Sequence, residues 1–154
     1  MLASKIKNRE SGIVLYGITP PKKGTDADKI QEIANKQIDR LKGQNVDGLI
    51  LYDIFDEATR TDVARPFPFM ETLDAFGYAE NHLSGLKIPK VLYRASGKYT
   101  DKELLQYLNK IENKDYLSVF VGAASKQQKV TLSLSQAYDL KLKNALNSLL
   151  GGVT

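Results

Sequence analysis

Val46-Asp-Gly-Leu-Ile-Leu-Tyr-Asp53 is a short, continuous apolar run that ends in an acid, and runs of this kind decide the fold. Three other runs share its length and its content of Val, Ile, Leu and Tyr: Gly12-Ile-Val-Leu-Tyr-Gly17, Ile88-Pro-Lys-Val-Leu-Tyr-Arg94 and Tyr116-Leu-Ser-Val-Phe-Val-Gly122. Continuous rather than alternating apolar runs are typical of parallel strands that are covered on both faces. The sequence therefore predicts four parallel strands.

An amphipathic segment follows each of the four runs, as in a chain of βα units. Apolar residues at helical spacing and capping residues set the predicted helices, which are Thr25 to Gly43, Met70 to Gly85, Thr100 to Ile111, and Ser133 or Ser135 to Gly151. Strands that are joined by crossover helices form a parallel sheet. We expect residues 1–154 to form a single α/β domain.

Two architectures fit four consecutive βα units. One is half of a (β/α)8 or TIM barrel, because a complete barrel has eight such units, and the domain is then an incomplete barrel. The other is an open, doubly wound sheet of the flavodoxin type. The sequence pattern leaves both open.

Composition excludes several classes of site and partner. The chain has no cysteine and one histidine, so thiolate and multi-histidine metal sites are excluded and we expect no metal. Its net charge of +4 arises from 22 basic residues that are interleaved with 18 acidic ones, so we expect no nucleic-acid partner. No apolar run approaches the roughly 18–20 residues of a membrane span. We expect a cytoplasmic protein with a small-molecule ligand and no membrane partner.

The candidate site lies at the carboxyl ends of the strands, where both architectures bind ligands. Asp53 directly ends the second strand, and Arg94, at the end of the third, either grips an anion or pairs with Asp53. Tyr16, Tyr52 and Tyr93 also end strands and form either core packing or a layer around the mouth. The remaining candidates on these loops are Thr19, Glu57, Arg60, Arg65, Phe67, Ser96, Gly122 and Ser125.

Three stretches resemble one family. Leu15-Tyr-Gly-Ile-Thr-Pro-Pro-Lys22 resembles the first-strand motif of the methylenetetrahydrofolate reductase family, and Arg65-Pro-Phe-Pro-Phe69 is similar to a divergent, reductase-like branch of it. Leu149-Leu-Gly-Gly-Val-Thr154 resembles the lead into the fifth strand of the family's barrel. The resemblance covers the N-terminal half of that barrel. It implies an oxidoreductase of folate one-carbon metabolism, in which FAD carries a hydride to methylenetetrahydrofolate.

The resemblance also implies roles for the candidate residues. The family's catalytic glutamate corresponds to Gly17, and Ala123 follows Gly122 where the family has an aspartate, so Asp53 or Glu57 would have to supply the catalytic acid. FAD would then contact Tyr93, Arg94, Ser96, Gly122 and Ser125, and the substrate would contact Thr19, Arg60, Arg65 and Phe67.

The missing acids leave the enzyme activity open. The alternative is a non-catalytic module that binds an anionic or pterin-like small molecule. The half-length of the chain would be accounted for if the sequence is a fragment of such a flavoprotein, or if two copies form a homo-oligomer that closes the barrel.

Overall fold

The structure, a computed structural model, describes residues 1–54, 70–122, 131–144 and 149–153, the last of these for the backbone alone. Five parallel strands form one sheet in chain order, namely β1 (Leu15–Ile18), β2 (Gly48–Leu51), β3 (Lys90–Ala95), β4 (Tyr116–Val121) and β5 (Leu149–Val153). The predicted α/β fold with parallel strands is confirmed. Across the described residues the sheet is open rather than closed.

The described residues include five α-helices: α1 (Leu2–Lys7), α2 (Ala27–Leu41), α3 (Ala75–His82), α4 (Asp101–Ile111) and α5 (Leu134–Lys143), with a 3₁₀ turn at Ser96–Lys98. The predicted capping box of α4 is present, because Thr100 accepts from the Glu103 amide and Glu103 accepts from the Thr100 amide. Ser133 begins α5 in the same way, with Gln136 as its partner. Polar side chains at these caps satisfy backbone donors that a helix start leaves free.

The crossover helices share one face of the sheet, which we call the helix face. Buried residues of α2 to α5, among them Ala34, Ala79, Leu104 and Ala137, form one core with strand residues such as Leu92. A doubly wound sheet carries helices on both faces and reverses its strand order. The consecutive strand order and the single helix layer therefore show that the flavodoxin-type alternative is wrong. Successive βα units of a barrel have this same strand order and helix layer.

The opposite face, which we call the α1 face, carries a smaller core. Leu2 of α1 packs there with Val91 and Val119, and Ile50 and Tyr93 pack against them. Lys5 pairs with Asp47 and fixes α1 to the turn before β2. The sequence pattern does not predict α1, because a helix of six residues is marginal without tertiary contacts.

Two predicted element bounds are wrong. The second helix begins at Ala75 rather than near Met70, because the Asp74 carboxylate caps it by accepting from the Gly77 amide at 2.8 Å. Residues 71–73 instead run beside the loop after β1, where Lys22 and Thr72 form an antiparallel bridge. The predicted fourth helix ends at Lys143, and its expected last turn is strand β5. None of the described helices has the length and apolar character that a membrane crossing requires.

Candidate functional site

Two tyrosines and a glycine form a surface at the carboxyl end of the α1 face. Gly17 follows Leu15 on this face by strand alternation, and Tyr52 comes directly after β2. The Tyr52 ring meets the Tyr93 ring edge to face, with centroids 5.2 Å apart and planes at 78°. Tyr52 is 37% exposed. We call Gly17, Tyr52 and Tyr93 the tyrosine platform.

Asp53 points away from this surface into a buried network. Its side chain is 0% exposed, and Lys98 donates to its Oδ1 at 2.6 Å. The Ala95 amide and the Tyr99 hydroxyl donate to its Oδ2 at 2.8 and 2.9 Å. Three donors therefore occupy the carboxylate that the sequence places at the ligand mouth. In this structure Asp53 ties the end of β2 to the turn after β3.

Arg94 lies on the helix face between two aromatic rings. Its guanidinium carbon is 4.2 Å from the Tyr99 ring centroid and 4.0 Å from that of Tyr107. Its Nη1 pairs with the Asp74 Oδ1 at 2.5 Å. The side chain is 4% exposed and its buried Nε has no hydrogen-bond partner among the described residues, so the predicted grip on an anion stays a prediction. The predicted pairing with Asp53 is wrong, since Lys98 is the partner of Asp53.

Burial and charge shift the ionisation of the groups around Arg94. Burial alone would raise the pKa of Asp74, but the Arg94 guanidinium and the Gly77 amide hold that pKa below its ordinary value. Burial raises the pKa of Tyr107 to about 12 and also raises the pKa of Tyr99. Both phenols therefore stay neutral at pH 7. Their ring faces remain electron-rich partners for the cation.

The charge of Asp74 makes stability depend on pH. Because the folded pKa is depressed, the stabilisation is fully present above the ordinary carboxyl pKa of about 3.9 and is lost as pH falls through the folded value. We expect Asp74→Asn to cost about 1 kcal/mol at neutral pH, since the Asp74 side chain is 46% exposed. Urea unfolding from about pH 7 to about pH 2 measures this, and the difference from wild type should shrink as the pH falls through the folded pKa.

The matched control for this prediction is Asp39→Asn, because Asp39 pairs with Lys42 and both side chains are exposed. We expect the control to unfold like the wild type over the whole range. A constant deficit of Asp74→Asn at every pH would assign its effect to the cap alone and would contradict the role of the charge.

The larger cavities that the described residues form near the strand ends include a polar and an apolar one. A polar one of about 390 Å³ lies over the Arg94 cluster and is bordered by Lys23, Glu71 and Lys110. A more apolar one of about 670 Å³ lies beyond β1 and is lined by Thr19, Pro21, Ile33, Ile54 and Met70, among others. Thr19, a predicted substrate-binding residue, thus lines the apolar cavity.

The other predicted site residues are dispersed. Tyr93 lies on the α1 face, whereas Ser96 is buried and donates to the Val121 carbonyl at 3.2 Å. Gly122 directly follows β4. Glu57, Arg60, Arg65, Phe67 and Ser125 lie outside the described residues. The structure therefore brings Asp53, Arg94 and Ser96 to the helix side and Tyr93 to the opposite face.

The sequence pattern did not predict the role of Asp74 or the contact between Gly17 and Tyr52. Asp74, which holds Arg94 and caps α3, was assigned to the middle of a helix. Its place before Ala-Phe-Gly77 is a signal for an N-cap, because aspartate there accepts from the third amide of the helix. The contact between Gly17 and Tyr52 has no sequence signal, since it joins two strands.

Comparison with known proteins finds similarity among solved structures. No family model matches the chain, and no curated protein matches it. Among solved structures, the chain is similar to an uncharacterised protein from Clostridium thermocellum that binds two copies of 5-methyl-5,6,7,8-tetrahydrofolic acid. The two are 44% identical with a TM-score of 0.80, over 99% of this chain and 47% of that one. The chain thus spans about half the length of this neighbour.

Proposed function

We propose that this chain binds a reduced folate, of which 5-methyltetrahydrofolate is the first candidate. The observation that carries the proposal is the neighbour that binds two copies of this compound and is 44% identical over 99% of the chain. Similarity at this level extends over every described strand and loop. It supports a common ligand class more strongly than a common fold alone would.

The geometry at the strand ends supports this ligand class. Parallel strands present their carboxyl ends to ligands, and here that edge carries the exposed tyrosine platform and an apolar cavity beside Thr19. Flat heterocycles bind to aromatic rings and apolar walls. The glutamate tail of a folate is anionic, and the net charge of +4 favours its approach.

The described residues favour binding over reduction. Asp53, one candidate acid, has its oxygens occupied by Lys98, Ala95 and Tyr99, so it is not placed to exchange a proton with a ligand. Glu57, the other candidate, lies outside the described residues. This supports the non-catalytic module that the missing family acids already suggested. The reductase activity and the closure of a barrel by two copies stay predictions.

The described residues that are predicted to contact FAD do not lie together in one site. Of the residues predicted to contact it, Arg94 and Ser96 are committed to internal partners on the helix face. Tyr93 lies on the opposite face of the sheet, so the set does not converge on one ligand. The described part of this set therefore gives no support for a flavin, and the proposed function involves none.

Thermal unfolding with and without 5-methyltetrahydrofolate tests the proposed function. A ligand that binds only the folded state, at about 100 times its Kd, adds about 2.7 kcal/mol of stability. For a chain of this size that corresponds to a rise in Tm of roughly 5–10 °C. Isothermal titration with the same compound then gives the Kd and the stoichiometry.

Free FAD and NADH serve as comparison ligands in the same experiment. We expect a rise in Tm with the reduced folate and none with either cofactor. An unchanged Tm and no heat of binding with 5-methyltetrahydrofolate would contradict the proposed function. A rise with FAD would instead favour the flavoprotein prediction.

A further inference from the structure

Gly17 leaves the space that the Tyr52 ring occupies. A Cβ at this position would lie 2.8 Å from Cε2, 3.0 Å from Oη and 3.2 Å from Cζ of Tyr52. The backbone does not require glycine here, since the positive φ angles of the described glycines are at Gly12, Gly24 and Gly43. The close approach of the ring is therefore what the missing side chain allows.

Tyr52 is held in place although it is exposed. Its ring rests on the Gly17 backbone on one side and meets Tyr93 edge to face on the other. Its amide donates to the Ile18 carbonyl at 3.0 Å, which fixes the main chain beside β1. An exposed ring that is already immobilised loses little conformational entropy when a ligand covers it.

The position of the tyrosine platform suits a ligand rather than the core. The lower part of the α1 face is covered by Leu2 of α1, which lies against the position of Gly48 at the start of β2. Tyr52 lies at the other end of the same strand and is 37% exposed. Helix α1 thus closes the amino end of this face, while the tyrosine platform stays accessible at the end where such sheets bind ligands.

We propose that the tyrosine platform binds the flat ring of the folate, with Gly17 required because it lets Tyr52 lie against β1. This inference rests on the proposed function and adds the residues that recognise the ring. Tyr52 and Tyr93 contact the ligand, and Gly17 is a positioning residue that acts through Tyr52.

Isothermal titration of three variants with 5-methyltetrahydrofolate tests the proposal. Stacking of a flat ring on an aromatic side chain contributes enough that Tyr52→Ala should weaken binding by about 10-fold or more. Gly17→Ala keeps both rings but displaces Tyr52, so we expect a loss of about the same size. Tyr52→Phe keeps the ring and should bind within about 2-fold of the wild type.

The matched control is Tyr16→Ala. Tyr16 is also exposed and lies next to Gly17 in β1, but it faces the helix side, where it borders a cavity with Gln37 and Arg40 of α2. We expect this variant to bind like the wild type. Thermal unfolding of each variant checks that the fold is intact, so that weaker binding by Gly17→Ala can be assigned to the displaced ring.

The outcomes separate the two proposals. If the wild type does not bind 5-methyltetrahydrofolate, the proposed function fails and this inference fails with it. If the wild type binds and both Tyr52→Ala and Gly17→Ala bind equally well, the ligand lies elsewhere and only the inference is overturned. If Tyr52→Ala weakens binding and Gly17→Ala does not, the role of Gly17 is overturned.

Discussion

Asp53→Asn is expected to lower the free energy of unfolding by about 3–5 kcal/mol, the cost of breaking a buried ion pair by removing one partner. Asparagine fits the space, but its NH₂ group is a donor. It would face the Ala95 amide and the Tyr99 hydroxyl, which in the wild type donate to the carboxylate at 2.8 and 2.9 Å. Lys98, with a side chain only 6% exposed, would keep Glu71 as an ion-pair partner at the longer distance of 3.6 Å. Equilibrium unfolding in urea measures the loss.

A second variant keeps this prediction testable if Asp53→Asn folds poorly. Asp53→Asn combined with Lys98→Met removes the buried cation together with its partner, and we expect it to recover part of the lost stability. Asp39→Asn is the exposed control and should stay within about 0.5 kcal/mol of the wild type. A loss below about 1 kcal/mol in Asp53→Asn would show that the network does not hold the strand ends.

This variant also separates a structural role of Asp53 from a catalytic one. Asp53 is a predicted catalytic acid, whereas its contacts join the end of β2 to the turn after β3. If the contacts describe its role, the folded fraction of Asp53→Asn binds 5-methyltetrahydrofolate with the wild-type Kd. A reductase activity that disappears in a well-folded Asp53→Asn would restore the catalytic assignment.

The fold was predictable because its signals are local. Continuous apolar runs predicted β1 to β4, and the Thr100-Glu103 capping box predicted the start of α4. The apolar pattern predicted a helix as far as Gly151, because leucines near Leu149 also fit helical spacing and a short apolar run does not distinguish helix from strand. Strand β5 was indicated only by the resemblance of Leu149–Thr154 to the lead into the family's fifth strand. Its pairing with β4 lies across more than 25 residues of chain, beyond the reach of a local pattern.

The orientation of the site residues was not predictable from the same runs. Adjacent residues of a strand face opposite sides of the sheet, so Tyr52 and Asp53 are separated by the sheet although they are neighbours in the chain. A continuous apolar run has no polar alternation to show which of the two faces the ligand. Asp53 and Arg94 were therefore placed at the mouth, and their partners Lys98 and Asp74 became evident only from the packing.

Arg94→Lys is expected to lower the free energy of unfolding by about 2–3 kcal/mol although it keeps the charge. The guanidinium contacts both Tyr99 and Tyr107, with its carbon 4.2 and 4.0 Å from the two ring centroids. A compact ammonium can approach one ring or Asp74 but cannot cover both ring faces. Urea unfolding of Arg94→Lys measures the loss.

The same variant decides between an internal and a ligand-binding role for this arginine. Arg40→Lys is the control, since Arg40 is an exposed residue of α2, and it should unfold like the wild type. If Arg94 grips an anionic ligand, as the sequence predicts, Arg94→Lys would keep its stability and bind 5-methyltetrahydrofolate more than 10-fold more weakly. Because the side chain is 4% exposed and engaged by two rings and a carboxylate, we expect the opposite result, a less stable protein with an unchanged Kd.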